Sequence, residues 1–192
     1  MNTQLSDAKV RLRQHVRERL EALTFADRAA AAARLCACLP QQRVWREAQT
    51  ILLFFPLPDE PDIGPLLGAV LSAGKTLALP RYANSEQKYE AAAVKDMGSD
   101  LVSGQFGIRE PGVSCPQIPL NRLDLVLVPG VAFDARGRRL GRGKGFYDRL
   151  LTAASGTKCG VAFDEQIVDA VPIGPLDVTV NCILTPTRWM ET

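Results

Sequence analysis

The sequence predicts an α/β fold, a three-layer αβα arrangement around a mostly parallel sheet, and two observations lead there. Short apolar runs such as residues 51–55 and 125–128 end at prolines, the pattern of strands buried on both faces. Between such runs lie segments with apolar residues at helical spacing. Strand and helix alternate along the chain, which implies crossover connections and helices covering both faces of the sheet.

The elements follow in order. Residues 6–39 are rich in Ala, Leu, Arg and Glu and contain neither Pro nor Gly, so helix is favoured. Two helices are expected, packed on the sheet. Leu12, Val16, Leu20 and Leu23 recur at helical spacing in the first, and Thr24 with Asp27 resembles a capping box that opens the second. Pro40 ends it. The strand at 51–55 is followed by helical spacing over 63–73, which stops at Gly74. Further strands are expected at 76–79 before Pro80, at 125–128 before Pro129, at 158–162 and at 182–184. The stretch 84–119 is the least regular, a hairpin and a loop expected beside the site. With 192 residues and 46% apolar content, the chain suffices for one core and is short for two, so residues 1–192 are expected to form a single domain.

Composition excludes several classes of function. The 23 basic and 21 acidic residues nearly balance, so neither bulk nucleic-acid binding nor membrane attraction is expected. No apolar run approaches the roughly 18 residues that a membrane span needs, and the N-terminus is polar, without a signal-peptide core. A cytoplasmic location and a monomer are the expectations. Among the five cysteines only Cys36 and Cys38 are close, and no second Cys or His pair completes a zinc site, so the thiols read as free and buried. His15, the one histidine, lies on the first helix and is given no role; Trp45 and Trp189 read as packing residues.

In an open parallel sheet, ligands bind beyond the carboxyl ends of the strands. The informative loops are therefore 56–62, 80–82 and the segment after Pro129. In the last of these, Gly141, Gly143 and Gly145 alternate with Arg142 and Lys144, directly before a predicted helix. Glycines let backbone N–H groups approach an anion closely while the two cations face it, so the loop reads as a phosphate site. Phe146, Tyr147 and Asp148 come next. A carboxylate beside a phosphate cradle repels its ligand unless a divalent cation lies between them, so Asp148 points to Mg²⁺.

Several segments together resemble the 5-formyltetrahydrofolate cyclo-ligase (methenyltetrahydrofolate synthetase) family. These are Lys9 with Leu12 and Arg13, the acidic loop Pro58-Asp59-Glu60, Pro80-Arg81-Tyr82, and Gly107-Ile108 with Glu110-Pro111. Most specific are Pro129-Gly130, Ala132-Phe133-Asp134, Gly137 and the run from Arg139 to Asp148. Segments 160–163, 171–172 and 177–185 complete the order, with Leu176 and Asn181 as departures from residues common among relatives.

The resemblance implies an ATP-dependent conversion of 5-formyltetrahydrofolate, with or without a polyglutamate tail, into 5,10-methenyltetrahydrofolate, releasing ADP and phosphate. It implies γ-phosphoryl transfer to the formyl oxygen followed by attack of N10. For this chain it implies Arg139, Arg142 and Lys144 around the phosphoryl group, and Lys9 and Arg13, on one helix face, reaching the nucleotide. Gly141, Gly143, Gly145, Phe146, Tyr147 and Asp148 would complete the ATP site, with Asp148 and Asp177 on Mg²⁺. Glu60 would meet the N–H-rich pterin edge, and Phe55, Phe133 and Tyr147 would offer rings for stacking. Two alternatives stand beside this: a non-catalytic folate or nucleotide binder, and a sugar-phosphate isomerase on a related scaffold.

Overall fold

The computed structural model describes residues 3–104 and 107–192. Two helices open the chain, α1 (Thr3–Glu21) and α2 (Phe25–Cys38). The capping box between them forms as expected: the Thr24 hydroxyl accepts from the Asp27 N–H at 3.1 Å, and the Asp27 carboxylate accepts from the Thr24 N–H at 3.1 Å. A short helix α3 (Arg43–Glu47) leads to β1 (Thr50–Leu52), α4 (Gly64–Ser72), β2 (Thr76–Ala83) and β3 (Lys88–Val94). The irregular middle supplies β4 (Leu101–Ser103), β5 (Arg109–Pro111) and β6 (Gln117–Ile118). Then come β7 (Leu125–Val128), β8 (Ala132–Phe133), β9 (Arg139–Leu140), α5 (Phe146–Ala153), β10 (Thr157–Val161), β11 (Cys182–Leu184) and β12 (Trp189–Glu191).

The described residues form an eight-stranded sheet of order β12-β11-β10-β7-β1-β2-β3-β6. Its middle, from β11 to β2, is parallel, and the flanking β12, β3 and β6 run antiparallel to their neighbours. Both faces are buried, as continuous apolar runs require. Along β7, Leu125 and Leu127 join one core with Leu35 of α2, Trp45 of α3 and Leu66 of α4, whereas Val126 and Val128 join the other with Leu150 and Leu151 of α5.

Helix α2 packs on the sheet through Leu35, as expected, while the buried residues of α1, Val16 and Leu20, pack with Ala132, Leu140, Phe163 and Val171, a third core beside the β8–β9 ribbon. This placement brings the N-terminal half of α1 to the carboxyl ends of the strands. Strand β2 does not stop before Pro80 but continues to Ala83 as a hairpin with β3. Proline is tolerated because β1 pairs with β2 only as far as Ala78, so beyond it that side of β2 is an edge where no N–H is needed.

Candidate active site

A cleft of about 640 Å³ opens at the carboxyl ends of β1, β2 and β7, lined by residues of α1, the 54–60 segment, the glycine loop, the start of α5 and the 174–177 turn. Arg139 and Leu140 of β9, the second strand of the β8–β9 ribbon, are among the lining residues. Asp134 is fully buried and accepts from the N–H groups of Arg136, Arg138 and Val171 at 2.9, 3.2 and 2.8 Å, which fixes the turn that returns the chain to Arg139. From Leu140 the chain enters the glycine loop. Gly143 has φ 106° and Gly145 has φ 65°, left-handed conformations that a side chain resists, and Gly145 caps α5. The first N–H groups of α5 thus open toward the cleft.

Cations converge on this loop. Arg13 Nε donates to the Gly141 carbonyl at 2.9 Å, and its guanidinium lies against Gly143, where a Cβ would stand 3.6 Å from it. Lys9 is ion-paired with Asp177, which also accepts from the Gly174 N–H. Burial works to raise the Asp177 pKa, but the Lys9 ammonium and the Gly174 N–H outweigh it and hold the carboxyl below its ordinary value. Lys144 is exposed at the loop tip and lines the cleft.

The two remaining arginines of the loop are engaged by carboxylates. Arg139 is buried, donates to Asp148 at 2.7 Å and to the Pro129 carbonyl at 3.3 Å, and its guanidinium carbon lies 5.9 Å from the centre of the Tyr147 ring. Asp148 therefore has its counter-charge inside the protein. Arg139 supplies a positive charge beside Asp148, so the carboxylate needs no metal to sit there in the absence of a ligand. Arg142 donates to Asp59 at 2.5 Å and to Glu60 at 3.1 Å, away from the helix start.

Among the described residues there is no group of three or more His, Cys, Asp or Glu side chains that could hold a metal by themselves. Magnesium, however, binds through one or two carboxylates when phosphates and water complete its shell. The hydrogen bonds of Asp148 fall on Oδ1 and those of Asp177 on Oδ2, and both residues line the cleft. The donor set fits an ion that arrives with phosphate. Asn181 is no part of it: its side-chain oxygen accepts from the Lys158 N–H at 2.8 Å and ties β10 to the chain before β11.

The rest of the cleft is aromatic and acidic. Glu60 folds back to accept from the Leu57 N–H at 3.0 Å, and burial raises its pKa against the opposing pull of that N–H and of Arg142. Phe55 and Tyr147 line the cleft. Burial, with Glu60 nearby, holds the Tyr147 phenol well above its ordinary range, so it stays protonated. Phe133 is corrected: it is fully buried, in a slot where a Cβ on Gly130 or Gly160 would come within 2.6 Å of its ring, and it offers no face to a ligand.

Sequence reasoning passed over Phe54, Tyr89 and Glu110, all of which line the cleft. Tyr89 and Phe146 have ring centroids 5.5 Å apart, Tyr82 joins them, and burial pushes the Tyr89 phenol up to about 12. Glu110 is buried and accepts from the Tyr82 N–H at 2.9 Å. Its signal in the sequence is the Glu110-Pro111 pair. Tyr89 had no local signal, because only the β2–β3 hairpin brings it to α5.

Fold and cleft together define an α/β protein with a cation-rich glycine loop facing an aromatic, acid-edged pocket. Comparison with known proteins narrows this class. The profile of the 5-formyltetrahydrofolate cyclo-ligase family matches residues 5–186. The 5-formyltetrahydrofolate cyclo-ligase of Mycolicibacterium smegmatis is 35% identical over 150 residues, covering 73% of this chain and 75% of that one. That of Escherichia coli K12 is 34% identical over 152 residues, covering 75% and 81%. The solved structure of Aquifex aeolicus 5,10-methenyltetrahydrofolate synthetase superposes with a TM-score of 0.86 at 32% identity, covering 95% of this chain and 92% of that one. The chain belongs to the 5-formyltetrahydrofolate cyclo-ligase family.

Proposed function

We propose that this chain cyclises 5-formyltetrahydrofolate to 5,10-methenyltetrahydrofolate at the expense of ATP. The observation that carries the reading is that one cleft joins a cation-rich glycine loop at a helix N-terminus to an aromatic pocket edged by Glu60. The formyl amide is a poor electrophile, and phosphorylating its oxygen turns it into an N5-iminium phosphate. N10 then attacks that carbon, loses its proton and expels phosphate. The demands on the protein are alignment and charge neutralisation, not a strong base, which suits a cleft without histidine.

The N–H groups of the glycine loop and the first turn of α5 hold the non-reacting phosphates, with Arg13 set against Gly143 and Lys9 beside Asp177. Lys144 neutralises charge on the moving phosphoryl group. Arg139 keeps Asp148 in place. The Mg²⁺ expected with the nucleotide spreads the phosphate charge when bound, and Asp148 and Asp177 would hold it. Glu60 accepts from the pterin N–H edge, and Phe55 and Tyr147 cover its ring. Among the described residues no helix is long and apolar enough to cross a membrane, and the five free thiols suit a reducing cytoplasm.

The test is the appearance of the methenyl chromophore from 5-formyltetrahydrofolate with and without MgATP. Formation that depends on ATP supports the reading. No absorbance change with MgATP present refutes it and leaves the non-catalytic binder; the isomerase alternative already falls with the family relation.

A further inference from the structure

Arg142 is the tip of the glycine loop, yet its guanidinium lies on the acidic turn across the cleft. It donates to Asp59 at 2.5 Å and to Glu60 at 3.1 and 3.4 Å. The two acids differ in setting. The Asp59 side chain is 52% exposed, whereas that of Glu60 is 7% exposed and lines the cleft. If Arg142 swung away, Glu60 would be a desolvated carboxylate held by the Leu57 N–H, a costly state. Arg142 can therefore leave cheaply only when other N–H donors arrive at Glu60. Gly141 and Gly143 flank Arg142, so the backbone on both sides is free to redirect it toward the start of α5.

We propose that Asp59 is a positioning residue that parks Arg142 on the acidic turn until an N–H-rich ring edge occupies Glu60, coupling ring binding to phosphate binding. The inference rests on the reading of the cleft given above. A nucleotide that binds alone competes with two carboxylates for Arg142. When the ring is bound first, Glu60 no longer needs the guanidinium, and Asp59 is an exposed partner that holds it weakly. Coupling between sites is reciprocal, so the nucleotide in turn favours the ring.

The experiment is calorimetric titration of MgATP into wild type, Asp59→Asn and Asp59→Glu, each alone and saturated with 5-methyltetrahydrofolate, which has the ring edge but no formyl oxygen to phosphorylate. Wild type should bind MgATP more tightly when the folate is present. Asp59→Asn should tighten MgATP binding in the absence of folate by about twofold to fivefold, the range of an exposed ion pair. It should tighten the folate-saturated affinity by a similar factor, because Asp59 holds Arg142 in both states and the coupling ratio is set at Glu60, and Asp59→Glu should return both affinities to those of wild type. A purely structural role for Asp59 would weaken binding in both states. Unaltered or weaker binding of MgATP alone by Asp59→Asn overturns the proposal while wild-type turnover upholds the assigned reaction. Failure of wild type to bind MgATP at all overturns both.

Discussion

Arg139 and Arg142 enter the same cleft from the root and the tip of one loop, and they do opposite things. The Arg139 side chain is 2% exposed and spans Asp148 and the Pro129 carbonyl, both fixed by neighbouring elements. The Arg142 side chain is 46% exposed and bridges two acids on a turn that no strand fixes. A buried pair tolerates no rearrangement, because either charge left alone pays its full desolvation cost. An exposed pair is worth little and can be exchanged for another partner. The loop thus has a rigid base that orients Asp148 and a movable tip suited to a charge that comes and goes.

Arg139→Ala should show the largest effect. It strips Asp148 of its counter-charge in a partly buried site and removes the guanidinium from Tyr147, so a loss of about 3 kcal/mol is expected, the lower end for breaking a buried pair. Urea unfolding measures it, and turnover should collapse with it. An unchanged unfolding midpoint would erase the distinction between root and tip. Lys144→Ala should separate the two properties: turnover falls by at least about tenfold, ~1.4 kcal/mol, because the charge matters as the phosphoryl group moves. Its unfolding midpoint should stay with wild type. A lowered midpoint would place Lys144 with Arg139 in the architecture, and unaltered turnover would remove it from the chemistry.

The same contrast separates what could be read in the sequence from what could not. Backbone features were legible because their causes are local: prolines end α2 and β7, Thr24 and Asp27 cap a helix, and alternating glycines precede α5. Which residues meet at the cleft was legible where a family motif carried it, as for Lys9, Arg13 and Glu60. Pairing was not. That Arg139 turns inward to Asp148 and Arg142 outward to Asp59 depends on the β8–β9 ribbon and on the 56–60 turn, which lie far apart in the chain. Phe133 was misplaced for a related reason, since a ring after a strand looks available until Gly130 and Gly160 are seen to form its slot.

Glu60→Gln sharpens the comparison with the smallest change, one of opposite sign. Burial raises the Glu60 pKa above that of the unfolded chain, so between the two values the folded state holds more protons and stability falls as pH rises. Below the ordinary glutamate pKa, about 4.3, both states are protonated and the penalty is absent; above the raised value it is complete. An amide of the same shape carries no such penalty, and Arg142 keeps Asp59 as its partner. The variant should therefore melt slightly higher than wild type at neutral pH, with the gap closing as pH falls toward 4.3, while methenyl formation drops because the pterin edge meets an uncharged amide with one acceptor oxygen and an NH₂ donor in place of a carboxylate with two acceptors. Melting curves across this window test the argument. A variant less stable than wild type at neutral pH would mean that Arg142 already compensates Glu60 in full, and the tip would then be as fixed as the root.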